Sequence, residues 1–225
     1  MPVAEGLQAD LVLAALRGFA HRHPGLGAAP VAIAFSGGAD STALLLAAML
    51  LWGPEQLRAL HVHHGLQVDA DAFAEHVLRQ CALWRVPCTM LQVQVQLQRG
   101  DSVEDMARDV RYQALGKAAL EQGCSWLLLG HQADDQVESL LLALLRGAGP
   151  KGLAAMPEAV QRGGLWLGRP LLACAADALR SMLDTQALPY LRDPMNADPA
   201  FRRSRIRHEL LPVLAGLEPA WRDTL

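Results

Sequence analysis

Aromatic bulk is scarce in this 225-residue chain, at 5% of positions, so aliphatic side chains must fill whatever core it forms. The common nucleotide loop, G-x-x-x-x-G-K-S/T, is absent, and no lysine follows a glycine pair. The four cysteines, Cys81, Cys88, Cys124 and Cys174, never stand at C-x-x-C spacing. Neither a zinc ribbon nor a redox pair is indicated, and isolated buried thiols in a reducing cytoplasm are expected. The longest apolar runs, such as "ALLLAAMLLW", are about half a bilayer span, so no membrane segment is expected. The N-terminus, "MPVAEGLQAD", has no basic run ahead of an apolar stretch and does not read as a secretory signal. A cytoplasmic protein is the expectation. There is no excess of positive charge either: the net charge is −3, which gives no global sign of a nucleic-acid binder, although arginines cluster near the C-terminus.

What is present is a large apolar fraction, 52%, with 19% charged residues, enough for one generous domain or one domain and the start of another. Hydrophobic periodicity predicts helices over 7–23, 41–52, 69–85, 102–123, 134–149 and 174–188, with a last helix beginning near 200. Apolar runs predict strands over 31–35, 57–64, 87–96, 125–131 and 165–172. Strands alternating with helices define an α/β fold: a parallel twisted sheet with helices on both faces. Ser102 is the expected cap of the 102–123 helix and Gly123 its stop. The expected stripe of the 134–149 helix is Val137, Leu140, Leu141, Leu144 and Leu145.

The stretch "SGGADS", residues 36–41, falls between the first strand and a helix, where a parallel sheet presents its ligands. Gly37 and Gly38 permit positive φ and close backbone approach. Successive amides there form an anion nest at a helix N-terminus, Ser36, Ser41 and Thr42 can donate further hydrogen bonds, and a phosphate is the natural guest. Asp40 would repel that phosphate unless a magnesium ion sits between them. The plainer alternative is a turn in which Asp40 merely stabilises the helix dipole.

These residues resemble the PP-loop motif, S-G-G-x-D-S, of the ATP pyrophosphatases, whose fold is adenine-nucleotide α-hydrolase-like. Four later segments narrow the resemblance: "HVHHGLQ" (61–67), "ARDVRY" (107–112), "GHQADDQVESLLLALLRGAGPKGLAAM" (130–156) and "RDPMNADPAFRRSRIRHELLPVL" (192–214). In order and spacing they are similar to the tRNA(Ile)-lysidine synthetases. The resemblance implies a ligase that uses ATP and Mg2+ to adenylate the C2 oxygen of the wobble cytidine of tRNA(Ile) with a CAU anticodon. Free L-lysine then displaces AMP to form lysidine. It implies that Ser36, Gly37, Gly38, Ala39, Asp40 and Ser41 bind ATP, with Asp40 on the metal. It places Asp40, Arg108, His131, Asp134 and Asp135 in catalysis, and Arg146, Arg203 and Arg207 against lysine or tRNA.

Each residue also has a plainer reading. His61, His63 and His64 lack a local cysteine or acid to complete a metal site, so a nucleotide-lining or structural role is expected. Arg108 and Tyr112 are helical neighbours, expected to lie off the Val103–Met106–Val110 stripe, and a lone Arg108 is ordinarily solvated. Of Asp134 and Asp135, one can cap its helix while the other faces the cleft. Gly147 or Gly149 can simply end a helix. Arg192, Arg202, Arg203, Arg205 and Arg207 form the dense basic patch, suited to RNA phosphates or to a solvated face. The chain departs from the family pattern at Gln67, Gln132, Ser139, Met195 and Ser204. The expected organisation is a catalytic domain over 1–190 and, over 191–225, a basic helical segment that begins a linker to C-terminal tRNA-binding domains. Oligomeric state is open, a homodimer included. The rival readings are a PP-loop tRNA thiolase, whose relatives carry C-x-x-C pairs, and a non-catalytic ATP-binding module.

Overall fold

The computed structural model describes residues 11–63, 70–93, 103–192 and 202–224. Helix α1 (Leu11–Arg22) buries Val12, Leu13, Leu16 and Phe19, one stripe at helical spacing. Strand β1 (Val31–Ala34) then leads into α2 (Ala39–Trp52), in which every residue from Ser41 to Ala48 is buried. That helix is apolar nearly all round and covered on several sides, as expected of such a sequence. Strand β2 (Leu57–His63), α3 (Ala70–Trp84), β3 (Cys88–Gln92), α4 (Val103–Glu121), β4 (Trp126–Leu128) and α5 (Ala133–Leu145) continue the alternation. The rest comprises α6 (Pro150–Leu153), β5 (Ala159–Arg162), β6 (Leu165–Gly168), α7 (Ala176–Thr185), α8 (Arg202–Arg205), a π turn (Ile206–Leu210), α9 (Leu211–Leu217) and α10 (Trp221–Thr224).

The sheet runs β3-β2-β1-β4-β6-β5. All neighbours pair in parallel except β5 and β6. Side-chain alternation along β1 splits the core in two. Val31 and Ile33 join α1, α2, α3 and α7 on one face. Ala32 joins Leu60, Leu127, Leu167 and the α4 residues Leu115, Ala118 and Ala119 on the other. A third cluster packs Val137 and Leu141 of α5 against Ile206, Leu211 and Trp221, so the C-terminal helices fold back onto α5.

Several expectations need correcting. The antiparallel strand β5 is an addition to the expected elements: Gly163 and Gly164, both at positive φ, close a two-residue hairpin with Arg162 opposite Leu165. Helix α5 ends at Leu145, not at 149, because Gly147 takes φ 71° and the Ala148 amide returns to the Ala143 carbonyl at 3.0 Å. Leu144 and Leu145, expected in its buried stripe, are exposed. Among the α4 side chains described, Leu115, Ala118 and Ala119 are buried, Met106, Val110 and Ala114 of the expected stripe are half-buried, and Tyr112 packs at the edge of the core. The strand expected over 165–172 stops at Gly168. Cys81 and Cys88 are not isolated: their thiols are close enough that each perturbs the other's ionisation. Ser102, His64, Gln67 and Met195 lie outside the described residues. Among the described residues no helix is long and apolar enough to cross a membrane.

The chain proceeds from β1 outward to β3 and then returns to place β4 on the other side of β1. The connections after β1 and β4 therefore diverge, and a crevice opens between them at the carboxyl ends of the strands.

Candidate active site

Residues 36–41 occupy that crevice. Gly37 sits at φ 83°, which favours glycine. A β-carbon there would also meet Leu191 Cδ1 at 2.8 Å and Val77 Cγ2 at 3.1 Å. The loop is braced internally: the Gly38 amide donates to Ser36 Oγ at 3.3 Å, and Ser41 Oγ donates to the Gly38 carbonyl at 3.1 Å. Thr42 Oγ1 donates to the Gly37 carbonyl at 3.3 Å. Outside the loop, the Leu191 amide donates to the Gly37 carbonyl at 2.8 Å. The N-cap of α2 is Gly38, which offers no side-chain acceptor. The Ala39 amide faces the Leu191 carbonyl through the parallel bridge between Gly38 and Leu191, and the amides of Asp40 and Ser41 have no protein acceptor among the described residues. A pair of unspent donors at a helix N-terminus suits an anion.

Across the crevice, Gly130 follows β4. A β-carbon on Gly130 would lie 3.0 Å from both Asp40 C and Ser41 N and 3.2 Å from the Asp40 carbonyl oxygen, all backbone atoms that cannot swing aside. Gly130→Ala is expected to displace the loop, costing about 1–3 kcal/mol and weakening binding of a phosphate-bearing ligand there by at least about tenfold. Calorimetric melting and equilibrium dialysis check this; wild-type affinity for that ligand would show that the two connections need not touch.

The carboxylates gather around the same point. Asp40 is half-buried and its Oδ1 has no partner. Burial, followed by the charge of Asp135, pushes its pKa up to about 7, although Arg180 and Arg207 pull the other way. Gln132, a departure from the family pattern, is the N-cap of α5: its Oε1 accepts from the Asp134 amide at 2.6 Å. Asp135 completes a capping box by accepting from the Gln132 amide at 3.2 Å. Burial raises the Asp135 pKa despite that bond. Asp134 is held by Arg222, with Nε to Oδ1 at 2.6 Å and Nη2 to Oδ2 at 3.2 Å. Glu138, with no exposed side-chain surface, accepts from Arg207 Nε at 2.6 Å, and its Oε2 has no partner. Arg207 Nη2 also lies 3.7 Å from Asp135, and Arg203 Nη2 donates to Ser139 Oγ at 2.9 Å.

His131 brings cationic company. Burial first, then Arg169, Arg108, Arg203 and Arg111, lowers its pKa to about 3, so it is neutral at physiological pH. Its buried Nδ1 has no partner. Arg108 lies over the Tyr112 ring, 5.7 Å from the centroid. His61 is structural: its Nδ1 donates to the Phe35 carbonyl at 2.9 Å and ties the end of β2 to the end of β1. His63 Nε2 donates to Asp71 at 2.9 Å. No group of three His, Cys, Asp or Glu side chains forms a metal cage among the described residues.

The structure thus brings together Asp40, Asp135 and Arg207, and it places Arg108 within electrostatic reach of His131. Arg146 stands apart, exposed at the C-cap of α5. Arg192, Arg202 and Arg205 of the basic patch are exposed, whereas Arg203 and Arg207 turn toward α5. Sequence reasoning did not assign a site role to Gln132, Glu138, Arg169 or Arg222. The first had a legible signal, a polar residue three positions before an acid at a helix start. The second falls one turn after Asp134, and the third interrupts the apolar run "LWLGRPLL".

The phosphate-loop geometry at the switch point of this sheet defines a class, and the family comparison agrees with it. A PP-loop domain model matches residues 14–214, and the chain belongs to that family. Among its relatives is the tRNA(Ile)-lysidine synthase of Polaromonas naphthalenivorans, 47% identical over 201 residues, a match covering 89% of this chain and 61% of that protein. The tRNA(Ile)-lysidine synthase of Pseudomonas fluorescens is 46% identical over 200 residues, covering 87% of this chain and 44% of that protein. The chain therefore spans less than two thirds of the length of these relatives. Among solved structures, the U34-tRNA thiolase NcsA of Methanococcus maripaludis with its 4Fe–4S cluster superposes with TM-score 0.76 at 17% identity, over 95% of this chain and 75% of that one. The NH3-dependent NAD synthetase of Campylobacter jejuni gives 0.53 at 16%, over 95% and 86%. These two share the fold.

Proposed function

We propose that this chain is the ATP-binding and adenylating portion of a tRNA(Ile)-lysidine synthetase. The observation that carries the reading is the pair of unspent amides at Asp40 and Ser41 beside the unpartnered Oδ1 of Asp40. The amides would bind the pyrophosphate end of ATP. Asp40 fits Mg2+, which takes one or two carboxylates and completes its shell with phosphate oxygens and water. Bound there, the cation would neutralise the phosphates near an acid that otherwise repels them.

In the first step the C2 oxygen of the wobble cytidine attacks the α-phosphorus of ATP and pyrophosphate leaves. In the second, the side-chain amine of free lysine attacks C2 and AMP leaves. That ammonium must first lose a proton. Asp135, its pKa raised by burial, suits the acceptor role. Asp134 would contribute once Arg222 releases it. Neutral His131 and the cationic Arg108 would line the base or its phosphate. Arg203 and Arg207 hold α5, and Arg192 and Arg202 would meet RNA phosphates, with Arg146 free to approach lysine or the anticodon. Residues 1–190 would form the catalytic domain, and 191–225 would begin the connection to tRNA-binding parts.

Incubation with ATP, labelled lysine and a tRNA(Ile) transcript tests this. Lysine transfer to RNA with release of AMP is expected, lost when the wobble cytidine is replaced by uridine. ATP binding without transfer, even with the relatives' C-terminal portion fused on, would favour a bare nucleotide module. Transfer of sulfur would favour a thiolase.

A further inference from the structure

Arg169, at the carboxyl end of β6, is 6% exposed. Among the described residues it pairs with no carboxylate, and the charges weighing on it include Arg108 and Arg162. A guanidinium buried without a counter-ion costs several kcal/mol, and an apolar side chain of similar volume ordinarily serves stability better. What Arg169 does instead is join elements. Its own amide donates to the Glu158 carbonyl and its Nη1 to the Pro157 carbonyl, both at 2.8 Å, which fixes it to the strand entering β5. Its guanidinium also lies close enough to the Tyr112 hydroxyl on α4 to interact with it electrostatically. The Tyr112 ring in turn packs at the edge of the second core, and Arg108 lies over it.

We propose that Arg169 is a positioning residue for Arg108: from the carbonyl of Pro157 it holds the Tyr112 ring, and that ring sets where the Arg108 guanidinium stands at the mouth of the crevice. This rests on the reading of Arg108 as a group that meets the activated base or its phosphate. An arginine on one end of a long flexible stem loses much of its usefulness unless something fixes its plane, and a ring face does this at little cost in rotamer entropy. Arg169 does not itself touch the reacting atoms. Its Nε remains unpartnered and buried, which marks the cost of keeping it there.

A double-mutant cycle in the lysine-transfer assay tests the proposal. Arg169→Met is expected to lower kcat by about 10- to 100-fold, with the KM for lysine changed less than about threefold. In an Arg108→Ala background the same substitution is expected to cost less than about twofold, because the group it positions is gone. Equal factors in both backgrounds would overturn the proposal. If Arg169→Met does not fold, Tyr112→Phe replaces it in the cycle: it cuts the hydroxyl contact and keeps the ring, and an unchanged rate or full additivity would be equally fatal. A second readout is independent of activity. The 15Nε relaxation of Arg108 is expected to show greater mobility in either variant than in the wild type. If the wild type transfers no lysine at all, the functional reading fails, and the relaxation measurement alone then decides whether Arg169 orders Arg108.

Discussion

Asp40→Asn is expected to abolish the proposed lysine transfer, by at least about 1,000-fold, while raising the melting temperature of the ligand-free protein at about pH 8. Both effects have one cause. Burial and the neighbouring Asp135 hold the Asp40 pKa at about 7 in the folded chain, against 3.8 for the free side chain. The folded state therefore binds this proton more tightly than the unfolded state. Its contribution to stability is complete below about pH 4 and is lost as pH rises through about 7. The gap between those two pKa values corresponds to roughly 4 kcal/mol by pH 8. An asparagine has the same shape and no charge to desolvate, so the variant should melt higher than wild type at about pH 8 and differ little near pH 4. A divalent cation with phosphate reverses the sense: it favours the carboxylate, and binding of magnesium–ATP should release a proton near neutral pH. Thermal melts across that range and isothermal titration in two buffers of different ionisation enthalpy measure this. Normal turnover by Asp40→Asn would refute the cation role, and an unchanged melting temperature would refute the burial argument.

The asymmetry between what was legible in the sequence and what was not follows from range. Periodicity located β1, α2 and α5 to within a few residues, because a buried strand or helix must be apolar where it is covered. The loop at 36–41 was legible because glycine, acid and hydroxyl are confined to one short turn whose local geometry leaves little choice. Long-range pairing was not. Nothing near Glu138 in the chain announces Arg207, 69 positions away, and nothing near Asp134 announces Arg222, 88 positions away. The expectation that one of the two adjacent acids caps α5 was sound as chemistry, but Gln132 shares that work, and its side chain leaves Asp135 the reciprocal half of the box. The exposed Leu144 and Leu145 show the limit of periodicity itself: a stripe says which side could be covered, not how far along the helix the cover extends. The hairpin at Gly163 and Gly164 is different again, since a Gly-Gly pair between short apolar runs carries its own signal.

Arg207→Ala is expected to destabilise the fold by about 3–5 kcal/mol and to leave the electrostatics of RNA binding nearly untouched. Glu138 has no exposed side-chain surface, and its one described ion pair is the 2.6 Å contact with Arg207 Nε. Removing that guanidinium strands a carboxylate whose second oxygen already lacks a partner. The pKa of Glu138 is raised by burial even with Arg207 present to oppose it, so the variant should take up a proton there in the folded state. Its deficit against wild type should therefore be smaller near pH 5 than near pH 8. Glu138→Leu combined with Arg207→Met removes both charges and should recover most of the loss, because the desolvation cost of the pair disappears with its attraction. The RNA comparison separates this from the alternative in which Arg207 contacts phosphate. Each lost phosphate contact lowers the slope of log affinity against log salt by about 0.7–0.9. Arg202→Ala, at an exposed position of the same segment, should produce that decrement. Arg207→Ala, measured on its folded fraction, should not. A matching fall in slope for both variants would mean that Arg207 leaves Glu138 for the RNA, and that the short contact to α5 is a resting place rather than a strut.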